Sequence, residues 1–223
     1  NPEGRVLRRS FHHQLEELEG QILQMGRLVA ERLNQALQAL TTRDLELAAK
    51  VVQGDAEINQ LELEIEERCL ELLALQQPMA SDLRHISTML KIITDLERMG
   101  DHAKDISRAT LRLGTEPLLK PLVDIPRMAT IARGMLFAAL DAYHTHDVEK
   151  ALSLVEQDHE LDHLYNQIFR ELLTYMLEDP RHIRQATHLL FIASYLERFG
   201  DHVTNLGEWV IFLVTGERRD LNV

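Results

Sequence analysis

The chain has little of what sheet proteins, secreted domains and membrane proteins are built from. Aromatic residues make up only 5% of its 223 residues, and it holds 10 glycines, 6 prolines and one cysteine, Cys69. A single cysteine forms no internal disulfide, so the chain reads as a protein of a reducing cytoplasm, with Cys69 as a small apolar core residue. No run of 18 apolar residues occurs, so no transmembrane span is expected. The opening NPEGRVLRRSFHHQ has no apolar h-region, and no secretory signal is expected from it. No stretch alternates polar and apolar residues long enough to make a strand. A Gly-rich phosphate loop and a Ser nucleophile elbow are both missing. The net charge of −12 disfavours nucleic acid or an anionic membrane as partner.

What is present favours helices. Leu, Ala, Glu, Gln and Arg dominate, all strong helix formers, and a hydrophobic share of 45% is enough for a core. Helical spacing predicts six helices: Leu7–Leu40, Asp44–Gln76 with a weak point at Gly54, Ser81–Leu113, Arg127–Tyr143, Asp147 to just before Pro180, and Pro180–Thr215. Thr42 is the expected N-cap of the second helix, and Gly114 and Gly216 are the expected C-caps of the third and sixth. Three of the prolines, Pro117, Pro121 and Pro126, fall in residues 115–126, which read as a linker. The expected architecture is all-α, with two tandem three-helix bundles over residues 1–114 and 127–223.

The two halves also repeat in sequence. Leu96–Ile106 reads LERMGDHAKDI and Leu196–Leu206 reads LERFGDHVTNL, sharing Leu, Glu, Arg, Gly, Asp and His in register. VQGDAEINQL, Val52–Leu61, matches VEQDHELDHL, Val155–Leu164, so Asp55 corresponds to Asp158 and Asn59 to Asp162. Glu97 and Asp101 stand one helical turn apart on one face, as do Glu197 and Asp201. Asp105 extends the first row and Asn205 the second. Like charges at this spacing repel by about a few tenths of a kcal/mol per pair, so a repeated row invites a cation.

With Ile93 at zero on a wheel of about 100° per residue, Glu97, Asp101 and Asp105 fall at about 40°, 80° and 120°. Leu96, Met99, Ala103 and Ile106 form the apolar stripe, which the acids flank. Flanking carboxylates can share a cation and still keep water ligands. Oxygen donors with one amide suit hard or borderline ions such as Mg²⁺, Mn²⁺ or Fe. The candidate metal ligands are therefore Glu97, Asp101, Asp105, Glu197, Asp201 and Asn205, with Asp158 and Asp162, also i and i+4, in a further role. The plainer alternative is that the acids pair with Arg98, Arg198, Lys104 and Arg84 on solvated faces.

Gly100 and Gly200 sit inside helices, where glycine costs about 1 kcal/mol relative to Ala, so close approach of another helix or a ligand is expected there. His102 and His202 lie about 100° around from the neighbouring Asp and reach such a site only from its edge. His12, His13, His144 and His146 read as surface or loop residues, and Tyr195 and Trp209 as core. His159–His163, HELDH, matches the zinc-protease helix pattern literally, but its surroundings are polar and no third ligand is evident. A ferritin-like di-iron centre would need Glu-x-x-His on two helices, and here both copies share one.

Ser81–Arg84 leading through MLKIITDLERMGDHAKDI, together with HLLFIASYLERFGDHVTNL, resembles the PhoU family of bacterial phosphate-signalling regulators, over both repeats up to about Gly216. The resemblance implies two three-helix bundles related by a pseudo-twofold axis, with acidic motifs that bind iron, zinc, manganese or magnesium. It implies no enzyme but a cytoplasmic adaptor between the ATPase subunit of the phosphate ABC transporter and the sensor histidine kinase of the phosphate regulon. Such an adaptor keeps the kinase from activating starvation genes when phosphate is plentiful, meets the membrane only through its partners, and is commonly a homodimer. Asn205 in place of a third acid departs from the first copy, so the second site is expected to hold less charge. Two other readings compete: a metal-dependent hydrolase using HELDH, and a metal-storage bundle.

Overall fold

The computed structural model describes residues 2–76 and 78–222, the side chains of 2–9 and 76 excepted. Among the described residues seven α-helices follow one another: α1 Pro2–Thr42, α2 Leu45–Gln76, α3 Ala80–Leu113, α4 Asp124–Thr145, α5 Val148–Leu152, α6 Leu154–Glu178 and α7 Ile183–Thr215. Among the described residues there is no strand, and no helix is long and apolar enough to cross a membrane. α1, α2 and α3 pack as one three-helix bundle, and α4, α5/α6 and α7 as its repeat.

The helix ends follow from local chemistry. Gly114 and Gly216 take left-handed-side φ values of 61° and 78°, and their N–H groups return to Thr110, Leu111 and Phe212 carbonyls. The cap of α2 is Asp44 and not Thr42. Its carboxylate accepts from the Leu47 N–H at 2.9 Å, while Thr42 stays in α1 and its hydroxyl donates to Gln38 O. α2 runs unbroken through Gly54, over which lies the Arg32 guanidinium, itself paired with Glu57 at 2.6 Å.

One predicted helix is two. The chain breaks between α5 and α6 at Ser153, whose hydroxyl donates to Lys150 O at 2.7 Å. The break lets the chain press against Gly207 of α7, where a Cβ would stand 2.8 Å from Leu154 Cδ1 and 3.3 Å from the Ala151 carbonyl. At Pro180 the chain makes one 3-10 turn, Pro180–His182, capped by Asp179, before α7 begins.

The two bundles share one continuous core. It runs through Met25 and Leu33 of α1, Met99 and Ile106 of α3, Met135 of α4 and Phe199 of α7, each fully or almost fully buried. Cys69 is also inside, and burial pushes its thiol up to about 11, so it stays a neutral, apolar group. α3 and α7 cross antiparallel, with Asp95 of α3 facing His202 of α7 and His102 of α3 stacked on Tyr195 of α7. These pairs relate the halves by a pseudo-twofold axis passing near Met99 and Phe199. Tyr195 and Trp209 are only partly buried, and Trp209 lies between the cations of Lys91 and Arg218.

The 114–123 segment is strapped to both halves. Arg43 of the first half donates to the Gly114 and Glu116 carbonyls at 2.6 and 2.8 Å. Gln185 of the second donates to the Pro117 carbonyl at 3.0 Å and accepts from the Leu119 N–H.

Candidate functional site: two related acidic clusters

The repeat places one acidic cluster in each bundle, on the facing surfaces of its second and third helical segments. In the first, α3 contributes Glu97 and Asp101, and α2 contributes Asp55, Asn59 and Glu62. In the second, α7 contributes Glu197 and Asp201, and α6 contributes Asp158 and Asp162. Asp55 and Asp158 are among the few buried carboxylates of the chain, 6% and 5% exposed.

The two glycines explain how the acids meet. A Cβ on Gly100 would stand 3.0 Å from Ile58 Cδ1 and 3.8 Å from Asp55 Oδ1. On Gly200 it would stand 2.5 Å from Leu161 Cδ1 and 3.4 Å from Asp158 Oδ1. Missing side chains let α2 and α6 approach closely enough to deliver these aspartates to the third helix of each bundle.

Electrostatics then separates the clusters. In the first, Lys104 Nζ donates to Asp55 Oδ2 at 2.5 Å and to Asp101 Oδ1 at 2.7 Å. Arg98 lies 3.5 Å from Asp101 and 3.7 Å from Glu97. Burial alone would push Asp101 up, but hydrogen bonds from Lys104 and Glu97 and the nearby positive charges outweigh it, and its carboxyl titrates below the usual range. Glu97 is pushed up to about 7, chiefly by burial and by the hydrogen bond it donates to Asp101 when protonated.

Among the described residues no lysine or arginine is paired with the acids of the second cluster, although the charge of Arg198 still lowers Asp201. The residue matching Lys104 is Thr204, whose hydroxyl serves Asp201 O and Asn222 Oδ1 and not the acids. The residue matching Asn59 is Asp162, which adds a charge. Burial first, then the charges of Asp162 and Asp201, push Asp158 up to about 6. Glu197 is pushed up to about 7 by burial and by the same neighbours, and Asp162 and Asp201 are also raised, burial leading in both. All four carboxyls are thus pushed toward their neutral forms, by burial before any other cause and by one another's charges for Asp158, Glu197 and Asp201.

Two expected ligands sit elsewhere. Asp105 is turned to Arg108, 3.3 Å away, and does not extend the first cluster. Asn205 donates to Asp95 Oδ1 at 3.2 Å across the pseudo-twofold axis, and Asp95 also holds His202 Nδ1 at 2.9 Å. The expectation that Asn205 leaves the second site with less charge is therefore reversed: Asp162 for Asn59 and Thr204 for Lys104 make the second cluster the more anionic. His102 and His202 also belong to the α3–α7 seam, 5.4 Å apart, and burial with the His202 and Arg198 charges pushes His102 down to about 4.

The donor set can be tested against a metal ion. Asp158 Oδ1 is buried and has no hydrogen-bond donor, and the same holds for Asp55 Oδ1 and Asn59 Oδ1. Such orphaned oxygens are costly unless something positive reaches them. The four carboxylates of the second cluster offer the oxygen donors that a hard ion such as Mg²⁺ or Mn²⁺, or iron, takes, but no three of them bring ligating oxygens within 4.8 Å of one another, so an ion there would have to draw the side chains together. In the first, the Lys104 ammonium is already paired with Asp55 and Asp101. The HELDH segment offers no such site, since His159 and His163 are exposed and Glu160 is paired with Arg127 at 2.6 Å. A groove of about 580 Å³ runs between α1 and α4 past Leu37 and Phe137 and contains no acid of either cluster.

Two tandem three-helix repeats with the same acidic motif on each define a class of all-α tandem-repeat proteins. The PhoU domain model matches it twice, over residues 22–110 and 125–210. The chain is a member of the PhoU family, whose proteins are accessory and regulatory and not enzymes. It is 44% identical over 210 residues to the phosphate-specific transport system accessory protein PhoU homolog of Caulobacter vibrioides, covering 94% of this chain and 91% of that protein. With the homolog of Clostridium acetobutylicum it shares 40% over 218 residues, 97% and 100% of the two chains. It superposes on the crystal structure of PhoU from Pseudomonas aeruginosa with a TM-score of 0.89 at 39% identity, over 93% of this chain and 100% of the other. The phosphate transport system regulatory protein PhoU from Streptococcus pneumoniae gives 0.88 at 36%, over 94% and 99%.

Proposed function

We propose that this chain is a regulatory accessory protein of a phosphate uptake system. It acts as an adaptor between the ATPase subunit of the phosphate ABC transporter and the sensor histidine kinase of the phosphate regulon, and represses the starvation response when phosphate is plentiful. The reading rests on family membership over both repeats and on relatives named as phosphate-specific transport accessory proteins. A cytoplasmic location, a homodimeric state and contact with the membrane through partners alone go with it.

Metal binding is part of the proposal, and what supports it is the buried, donorless oxygen of Asp158 together with the lack, among the described residues, of any ion pair to the four acids; Asp55 has the same kind of oxygen but is paired with Lys104. Asp158, Asp162, Glu197 and Asp201 would hold the ion, which would supply the positive charge the cluster lacks. Glu97 and Asp101 would take a second ion only if Lys104 swung away from Asp55 and Asp101. The ion would fix α6 to α7 and so the surface offered to a partner. Deleting the gene should derepress phosphate-starvation genes in phosphate-rich medium, and unchanged expression would sink the regulatory reading. Elemental analysis of the purified protein separates signalling from storage, because a few ions per chain fit the first and many fit the second.

A further inference from the structure

Outside both acidic clusters, one group of three side chains converges as metal ligands do. Glu19 of α1, His85 of α3 and His146, the residue ending α4, each present a ligating atom, and these atoms lie within 4.8 Å of one another. Among the described residues no other trio of His, Cys, Asp or Glu comes so close. We propose that Glu19, His85 and His146 form a binding site for one divalent transition-metal ion of the zinc type, clipping the first bundle to the second.

The His85–Glu19 contact is too long for a hydrogen bond, and all three ligating atoms lie near enough to be drawn onto a shared ion. His85 Nε2 is buried, has no hydrogen-bond partner, and lies 4.0 Å from Glu19 Oε2. Two ligands of a tetrahedral zinc ion, each about 2.0–2.1 Å from the metal, stand roughly 3.4 Å apart, so side-chain closure of roughly 0.6 Å for the His85–Glu19 pair and up to about 1.4 Å across the trio brings them onto one ion. The His85 and His146 rings face each other edge to face, 6.0 Å between centroids. Burial holds the His85 ring below its usual range, which keeps it in the neutral form that ligates.

The remaining oxygen of the carboxylate is also engaged. His144 Nδ1 lies 3.0 Å from Glu19 Oε1, so one oxygen is oriented by His144 while the other faces His85. Outer histidine–carboxylate contacts of this kind steer metal ligands. Two imidazoles and one carboxylate select transition metals over Mg²⁺ and Ca²⁺, which separates this donor set from the all-carboxylate clusters.

The duplication supplies an independent argument. His146 and Arg43 are equivalent: each is a non-glycine residue in the left-handed region, with φ 55° and 59°, and each precedes an Asp that caps the next helix. His85 and Gln185 are equivalent by the spacing that relates Glu97 to Glu197. Arg43 and Gln185 clamp the 114–119 peptide that joins the halves. That linker crosses once, so only one pseudo-equivalent corner has a peptide to clamp. At the other corner His146 and His85 stand in the same two places, with Glu19 between them, and a bound ion would do there what the linker does at the first.

The test uses the full chain stripped of metal by a chelator, titrated with Zn²⁺ against a chromophoric competitor and with Co²⁺ by absorption. The wild type should bind one Zn²⁺ at this site and develop the intense visible bands of four-coordinate Co²⁺. His85→Gln and His146→Asn should each lose that ion and those bands; Asn accepts the left-handed backbone, so the fold is kept. His144→Ala should weaken binding on the order of 10- to 100-fold without abolishing it. Asp158→Asn with Glu197→Gln should leave the cobalt spectrum unchanged, which separates this site from the acidic clusters. If His85→Gln and His146→Asn, folded by circular dichroism, bind Zn²⁺ and Co²⁺ as the wild type does, the site is not there.

Discussion

The two acidic clusters descend from one unit and have come to opposite electrostatic solutions. In the first, Lys104 bridges Asp55 and Asp101 and the charge is balanced within the protein. In the second, Thr204 is turned to the C-terminal Asn222, Asp162 replaces Asn59, and four carboxyls are left to share their protons or a cation. The difference teaches that the repeated Glu-x-x-x-Asp motif is only a scaffold. The residue three positions after the aspartate and what the neighbouring helix brings set how much of its charge is left unpaired.

The largest expected effect breaks the second cluster. Asp158→Asn combined with Asp201→Asn should weaken Mn²⁺ binding on the order of 100-fold or more, since direct ligands matter more than outer contacts worth 10- to 100-fold. Helix content should be unchanged, and Asp55→Asn with Asp101→Asn should leave the tight ion in place. Titration monitored by electron paramagnetic resonance of free Mn²⁺ reads both.

Next in size is Lys104→Met, which makes the first cluster resemble the second. Breaking a fully buried ion pair costs about 3–5 kcal/mol, and this pair is partly wetted, so a loss of about 2 kcal/mol of metal-free stability at neutral pH is expected. Divalent ions should restore much of it, and one more ion per chain should bind. Denaturant midpoints with and without Mn²⁺ check the expectation.

A smaller difference is expected at the glycines. Gly200→Ala forces the closer approach, 2.5 Å to Leu161 against 3.0 Å to Ile58 for Gly100→Ala. Overpacking of this kind costs about 1–3 kcal/mol, offset by about 1 kcal/mol of helix propensity. Gly200→Ala should therefore be the less stable of the two by roughly 1 kcal/mol, by chemical denaturation of both variants.

The smallest effect is on pH dependence without metal. Asp158 and Glu197 titrate in the folded chain at about 6 and 7, against ordinary values of about 3.9 and 4.3. Folded-state values above the unfolded ones mean that their share of stability is whole at low pH and is lost as pH rises from about 4 to 7. Asp101, held low by Lys104, works the other way and loses its share as pH falls. Melting temperatures in chelator should thus decline less from pH 5 to 7.5 in Asp158→Asn with Glu197→Gln than in the wild type.

Much of this was legible in the sequence because the signals were local. Amphipathic spacing and Gly114 and Gly216 mark the long helices, and the shared LER-GDH marks the duplication and the third helix of each bundle. The break at Ser153 was not legible, because it answers to Gly207 on another helix and carries no Gly or Pro of its own. The helical wheel carried Asp105 and Asn205 too far, since a row on one helix says nothing of where the partner helix ends its contact. Asp55, Glu62 and Lys104 were missed as members of the first cluster, although the aligned repeats already set Lys104 against Thr204 and Asn59 against Asp162. Glu19, His85 and His146 come from three helices with no motif among them, and only the fold brings them together.

The most direct test of the account is an anomalous difference map from crystals soaked in limiting Mn²⁺. A peak among Asp158, Asp162, Glu197 and Asp201, with none beside Lys104 between Asp55 and Asp101, is the predicted result. A peak at the first cluster alone, or equal occupancy at both, would contradict the claim that Lys104 already satisfies one site and leaves the other in need of an ion.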